Sequence, residues 1–410
     1  MALLSCSDAL ELVASKMSAL PPNSATERIS LGAARGRVLA HSITADRDQP
    51  PFPRSTRDGF AMQAADATAT MQLIGAIRAG EQWTGPPLQP GQALEIMTGA
   101  PVPQGADAVV MVEHVTTEGT TLTLQPGRTL RAGENIVPRA AEARSGDVLL
   151  QPGVSIGAAE IALAASVGAA QVTVFAQPLV AVLATGDELV ALDETPDAMQ
   201  IRNSNSHALA ALVQEHGGTA RVLPPAADTR ESLHAAITGA RDAAMLVLSG
   251  GVSAGKYDFV EDVLLSLGAE FFFTGVAMQP GKPAVFGRIP ATPEHPDQWI
   301  FGLPGNPVST QVTALLFAMP MLRALAGEAA AKPSFAQATL TVDVKVKPCL
   351  TRFLPARIDS SLTGATVQPT GWQGSGDLNA NARANCYLVV PPDATNLQPN
   401  DIVTVLLRSR

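Results

Sequence analysis

From Leu179 to about Glu328 apolar runs alternate with amphipathic segments, and this alternation constrains the fold more than any other feature of the chain. Leu179–Ala184 is an apolar run ending at Thr185-Gly186-Asp187-Glu188. Asn203–His216 reads as a capped helix with Leu209, Leu212 and Val213 on one face, stopped by Gly217-Gly218. Ala220–Leu223 reads as a second strand, Thr229–Arg241 as a second helix, and Ala243–Leu248 as a third strand running into Ser249-Gly250-Gly251. Phe271–Thr274, Ala284–Phe286 and Trp299–Phe301 follow as strands and Val308–Phe317 as a helix. Such alternation predicts a doubly wound α/β domain on a mainly parallel sheet.

The flanks carry other patterns. Ser7-Asp8 offers a cap for a helix bearing Leu10, Val13, Met17 and Leu20, which Pro21-Pro22 ends. The stretch Asp46–Arg54, with Pro50, Pro51 and Pro53, reads as a hinge. From Phe60 to Pro138 short runs (Met71–Ile77, Ala108–Val115, Thr121–Leu124) are separated by turn residues, which predicts an inserted β-rich lobe. Gly157–Val167 is Ala-rich and reads as helix. After Ala331 the runs Thr339–Val346, Cys386–Val390 and Ile402–Leu407 predict a compact β domain. At ~150 residues per domain, a length of 410 residues predicts roughly three domains.

Composition removes several functions. With 28 Lys+Arg against 37 Asp+Glu, the formal charge of −9 lacks the basic face that nucleic acid or an anionic membrane needs. Aromatic residues at 4% leave few platforms for single strands. Cys6, Cys349 and Cys386 are odd in number and widely spaced, and so read as free thiols of a reducing compartment. The N-terminus lacks the basic start of a secretory signal, and the apolar stretch after Val312 is broken by Pro320 and Arg323. A cytoplasmic protein with no membrane partner is expected.

In an open α/β sheet, ligands sit beyond the carboxyl ends of the strands, so the loops there carry the chemistry. Gly250, Gly255 and Lys256 fit a phosphate-binding loop, but Tyr257 stands where that loop needs a Ser or Thr hydroxyl for Mg²⁺. The glycines still let backbone N–H groups approach an anion, and a plain glycine turn is the alternative. In Gly302-Leu303-Pro304-Gly305-Asn306-Pro307, Asn306 suits a helix cap and Pro307 the first helical position. Ser309 and Thr310 then sit in the first turn, beside a candidate oxyanion site. Lys282 stands between Pro280 and Pro283 in a stiff turn. Asp58, Asp187, Glu188, Asp228 and Asp258 fall in turns, where hard carboxylate oxygens suit Mg²⁺. No His spacing suits a metal, and no G-x-S-x-G or G-x-G-x-x-G occurs, which points to phosphate and oxyanion handling rather than acyl or hydride transfer.

Six blocks then carry a resemblance. They are Asp58-Gly59-Phe60-Ala61, Met97-Thr98-Gly99-Ala100-Pro101 running on to Asp107, Thr185–Glu188, Gly250–Asp258, Pro280–Pro283 and Gly302–Ser309. Together they resemble the molybdopterin molybdenumtransferases of the MoeA and gephyrin E-domain type. The resemblance implies a central molybdopterin-binding α/β domain (residues 178–330), a β-rich lobe (46–138) inserted in a split linker-like domain (1–45 and 139–177), and a C-terminal β-barrel (331–410). It implies release of AMP from adenylylated molybdopterin and transfer of molybdenum from molybdate to the dithiolene, with Mg²⁺.

By that resemblance Asp58, Thr98, Glu188 and Asp258 are catalytic, and Asp187, Glu188, Asp228 and Asp258 face Mg²⁺ and the nucleotide. Gly250, Gly251, Ser253, Gly255, Gly305 and Asn306 would line the ligand. Lys282, Ser309, Arg352 and Ser375 would hold molybdate, with Arg357 the alternative to Arg352. Tungstate, a similar dianion, is not distinguished. Several positions depart from the family: Val137 replaces an arginine, Ala140 a glycine, Glu142 an aspartate and Gln279 a lysine. The resemblance also implies a homodimer whose sites draw on both chains, working beside a molybdopterin adenylyltransferase and molybdoenzyme-assembly proteins. A molybdopterin adenylyltransferase, or a non-catalytic scaffold on the same fold, is the rival reading.

Overall fold

The computed structural model describes residues 3–21, 23–252 and 259–408. They form two compact units. One comprises residues 1–40, 152–157 and 172–410, and the other residues 41–151 and 158–171.

The first unit is built on a six-stranded sheet in the order Thr219–Val222, Leu179–Ala184, Met245–Ser249, Gln298–Leu303, Val285–Ile289, Glu270–Phe273. The first four of these run parallel, and the last two form an antiparallel edge. Parallel strands need covered faces, and the side chains alternate to supply them. Val180, Val182, Met245, Val247, Phe301 and Leu303 point into one core, with the helices Cys6–Ser18, Ser204–Glu215 and Pro307–Leu325. Ala181, Leu183, Leu246, Leu248 and Ile300 point into the other, with the helices Arg230–Thr238 and Val260–Ser266. This is the doubly wound arrangement expected from the alternation. The first core is aromatic at its centre, where Phe286 stacks on Phe301 with ring centroids 4.8 Å apart.

Pro307–Leu325 is 19 residues long and apolar enough to cross a membrane, but 83% of it is buried, as in a core helix. It outruns the expected Val308–Phe317 because a π turn over Ala314–Ala318 accommodates Pro320. The wider turn has already given up the hydrogen bond that proline cannot donate.

The same unit contains a closed barrel. Its strands, in order round the wall, are Thr351–Ser361, Gly364–Pro369, Phe335–Leu340, Ile402–Leu407 and Cys386–Val390, the last pairing back to the first. The longest, Thr351–Ser361, escaped the sequence reading because Pro355 argues against a strand. Pro355 is in register with Tyr387, but its carbonyl faces the other way, accepting from the Thr370 N–H at 2.9 Å, and on that side the ladder to Gly364–Pro369 starts only at Ala356, so neither ladder needs a donor from Pro355. Two other readings are corrected. The first helix is capped by Ser5, whose hydroxyl accepts from the Asp8 N–H, and not by Ser7-Asp8. The expected strand Ala108–Val115 stops at Met111, where a short 3₁₀ turn intervenes. Cys6, Cys349 and Cys386 are free thiols, and burial pushes Cys6 up to about 12.

The second unit holds another six-stranded sheet, Ala108–Met111, Gly59–Met62, Gln92–Ile96, Met71–Ile77, Thr121–Leu124, Val115–Glu118. Gly59 is forced by proximity, since a Cβ there would lie 1.9 Å from the Val110 carbonyl oxygen.

Ala140 has φ +59°, a left-handed backbone at a position where the resembling family carries glycine. A Cβ in that region costs about 1–2 kcal/mol, partly offset by the freedom glycine adds to the unfolded chain. Ala140→Gly is therefore expected to raise the stability of this unit by about 0.5–1 kcal/mol. A urea midpoint at or below that of the parent chain would contradict this.

Candidate functional site

A cleft of about 850 Å³ opens at the carboxyl ends of the parallel strands. Three strand-end loops form its floor. Thr185–Glu188 follows the first strand of the domain, Gly250-Gly251 follows Met245–Ser249, and Pro304–Pro307 follows Gln298–Leu303. Backbone bonds stitch them together: Thr185 N–H to Ser249 O at 3.0 Å and Gly250 N–H to Leu303 O at 3.1 Å.

The glycines are demanded by this contact. Gly250 (φ +95°) and Gly251 (φ +64°) have left-handed backbones, and a Cβ on either would come within 2.8 Å of Thr185. The Thr185 hydroxyl is buried and has no hydrogen-bond partner among the described residues. A buried donor left unpaired is costly, and an acceptor brought to that point would satisfy it.

Acids stand at the rim. Glu188 and Asp228 line the cleft, and the Asp187 carboxylate accepts the Asp228 N–H at 3.2 Å. The Glu188 carboxylate folds back over Gly186, which has no Cβ to obstruct it. Arg202, Asn203, Ser204 and Asn205 form a further wall that the sequence reading did not assign to the site. Leu189–Val190 pairs in parallel with Ile201–Arg202 and brings that wall beside Glu188. The Arg202 guanidinium spans the intervening loop by donating to the carbonyls of Leu192 and Glu194. The only advance signal was the Asn203 cap.

Asn306 sits at the helix N-cap, as expected, but its side chain makes no capping bond. Its carbonyl accepts from the N–H and hydroxyl of Thr310, while the Val308 N–H goes to the Ser375 carbonyl at 3.0 Å. The side chain is thus spared for the cleft, which Asn306 lines with Gly305 and Pro307. The Ser375 loop comes from the barrel domain, and Gly376 and Leu378 also reach the cleft wall. Asp377 holds this loop in shape by accepting from the N–H groups of Gln373 and Ala380.

None of the expected molybdate residues lines the cleft itself. Its wall includes Pro283, next to Lys282. Lys282 is exposed and Ser309 buried. Gln279 pairs with Arg352 across a two-residue parallel ladder, which ties the Lys282 turn to the barrel. The Arg352 guanidinium donates to the Lys347 carbonyl, whereas Arg357 is exposed further along the strand. Ser253, Gly255 and Asp258 lie outside the described residues.

In the second unit, Gly59 pairs with Ile96, so Asp58 and Thr98 emerge from neighbouring strands. One Asp58 oxygen accepts from both the Thr98 N–H (2.7 Å) and the Thr98 hydroxyl (3.0 Å). The backbone bond, then the hydroxyl bond, holds the exposed Asp58 carboxyl below its ordinary value. A depressed carboxyl contributes stability above the ordinary carboxylate range, and the contribution is lost as pH falls through the lowered value. Thr98→Val removes the hydroxyl and should move the Asp58 titration upward in a carboxyl-carbon NMR experiment. An unmoved titration would show that the hydroxyl contributes nothing to Asp58.

Comparison with known proteins shows the family. Three family models match in succession: the MoeA N-terminal region (domain I and II) over residues 4–168, a probable molybdopterin binding domain over 181–324, and the MoeA C-terminal region (domain IV) over 337–407. The chain is 38% identical to a molybdopterin molybdenumtransferase of Nostoc sp. over 74% of its own length and 70% of that protein. It is 32% identical to one from Staphylococcus epidermidis over 92% of its own length and 90% of that protein. The crystal structure of a molybdopterin biosynthesis MoeA protein from Pyrococcus horikoshii OT3 superposes with a TM-score of 0.79 at 25% identity, covering 99% of this chain and 100% of that one. The glycine floor, its acidic rim and three consecutive family matches lead to one conclusion: the chain belongs to the molybdopterin molybdenumtransferase (MoeA) family.

Proposed function

We propose that this chain inserts molybdenum from molybdate into adenylylated molybdopterin and releases AMP, with Mg²⁺ bound at the rim of the strand-end cleft. The observation that carries the reading is the floor of that cleft. Three loops close on one another with no room for a Cβ at Gly250 or Gly251, beside a buried Thr185 hydroxyl that has no hydrogen-bond partner among the described residues. Such a floor suits a phosphate or phosphoanhydride oxygen, which accepts from hydroxyl and backbone donors.

The donor set at the rim fits Mg²⁺. Glu188 and Asp228 present hard oxygens on the cleft, with Asp187 beside them. Among the described residues no group of three acids converges on one point. Mg²⁺ characteristically takes one or two carboxylates, several waters and substrate phosphate oxygens, and so asks for no larger cage. When bound there it would neutralise charge on the phosphoanhydride as AMP departs. Glu188 and Asp228 would hold the ion and orient the nucleotide end, and Thr185 would donate to a phosphate oxygen. Lys282, Ser309, Arg352 and Ser375 would hold the molybdate dianion by charge-assisted bonds.

The four-part division of residues 1–45 with 139–177, 46–138, 178–330 and 331–410 belongs to this reading; the limits of the family matches support its boundaries near 178 and 331. To the same reading belong a cytoplasmic location and a homodimer in which Asp58 and Thr98 of one chain serve the site of its partner.

The test is anaerobic incubation with adenylylated molybdopterin, Mg²⁺ and molybdate, with assay of AMP and of metal-loaded pterin. Wild-type chain should yield both, and AMP release should stop when Mg²⁺ is chelated. Glu188→Gln should keep its melting temperature, because exposed polar changes cost within about 0.5 kcal/mol, yet slow AMP release at least ten-fold. Wild-type turnover by that variant at saturating Mg²⁺ would remove Glu188 from the mechanism. Shared sites are tested by mixing. Asp58→Asn and Glu188→Gln homodimers should each be nearly inactive, and subunit exchange should restore activity by concentrating both lesions in one site. Verified heterodimers without recovered activity would reject the shared site.

A further inference from the structure

Asn205 stands at the second position of the helix Ser204–Glu215, on the cleft wall, and its amide nitrogen makes two hydrogen bonds. One runs to the Ser249 hydroxyl at 2.8 Å and the other to the Gly305 carbonyl at 2.7 Å. A carbonyl can only accept, so the group facing Gly305 must be the NH₂ end of the side chain, which settles its orientation. Both hydrogens of that NH₂ are then used. The two acceptors lie on different strand-end loops: Ser249 directly precedes Gly250-Gly251, and Gly305 precedes the long core helix. Backbone bonds already join these loops at Gly250 and Leu303, deep in the floor. Asn205 joins them from the third wall, at the level where both face the cleft.

We propose that Asn205 is a positioning residue: its side-chain amide latches the 304–306 loop to the end of the Met245–Ser249 strand, and so sets the gap into which the nucleotide end of the substrate fits. The inference rests on the molybdenum-insertion reading above and assigns one residue within it. Asparagine suits the task by reach and by donor count. Serine is too short to span both acceptors, and aspartate, of the same size, offers no hydrogen to Gly305 while it is ionised.

The experiment compares Asn205→Asp and Asn205→Ala with wild type by melting temperature, by KM and kcat for AMP release, and by calorimetric affinity for AMP. A carboxylate in the first turn of a helix is favoured by the helix dipole, so Asn205→Asp is expected to fold with an unchanged or higher melting temperature. It sets a negative oxygen against the Gly305 carbonyl and forces the loop away. KM and the AMP dissociation constant should rise about ten-fold or more, with kcat changed less. Asn205→Ala, which adds no charge, should move both in the same direction by a smaller factor. Wild-type KM and AMP affinity in Asn205→Asp would overturn the proposal. So would a lowered melting temperature and kcat in both variants with KM and AMP affinity untouched, which is the signature of a scaffold residue. If the wild-type chain binds AMP but releases none from adenylylated molybdopterin, the functional reading fails, and the ratio of AMP affinities still decides the latch.

Discussion

Burial of both faces of the parallel strands is the constraint on which the rest of the first unit depends. A parallel ladder leaves neither face to water, so each strand must present apolar side chains in both directions. Val180 and Val182 point one way and Ala181 and Leu183 the other, each set into its own core. The helices are thereby committed to the two faces, and the connections to the two ends. At the carboxyl ends the loops from three neighbouring strands are pressed together by strand spacing alone. Only glycine lets them come as close as Gly250 and Thr185 do.

That crowding creates the chemistry. A floor without Cβ atoms exposes backbone and hydroxyl donors, whereas the rim carries acids that would repel a phosphate by themselves. In the proposed reading a divalent cation lies between carboxylate and substrate and joins floor and rim in one site. The barrel contributes to the same place through short ladders rather than broad packing. Met278–Gln279 pairs with Thr351-Arg352, and the Ser375 carbonyl occupies the Val308 N–H. These contacts consume the cap that Asn306 would otherwise supply and leave its side chain on the cleft.

Departures from the family pattern acquire physical content in the same way. Ala140 occupies a left-handed backbone where glycine is at ease, so the fold tolerates strain at that turn. Glu142, in place of an aspartate, reaches Arg54 at 2.6 Å, a partly exposed ion pair of small energetic weight. Both positions lie in the second unit, whereas the glycine floor and its acidic rim belong to the first.

The amino-acid order by itself determined the doubly wound domain, because the alternation of strand and helix periods leaves few other ways to bury every apolar run. It likewise pointed to the strand-end loops that line the cleft, since glycine pairs and capped helix starts are local signals. It did not reveal the Thr351–Ser361 strand, whose Pro355 is harmless because its polar edge faces the side where the ladder to Gly364–Pro369 starts only at Ala356. Nor did it reveal the wall from Arg202 to Asn205. Those residues read as an ordinary helix start, and only the parallel pairing of Leu189–Val190 with Ile201–Arg202 carries them to the cleft. Whether a polar side chain caps, binds or merely faces water depends on which distant carbonyl or N–H lies within 3 Å of it, and that is decided only when the chain is packed.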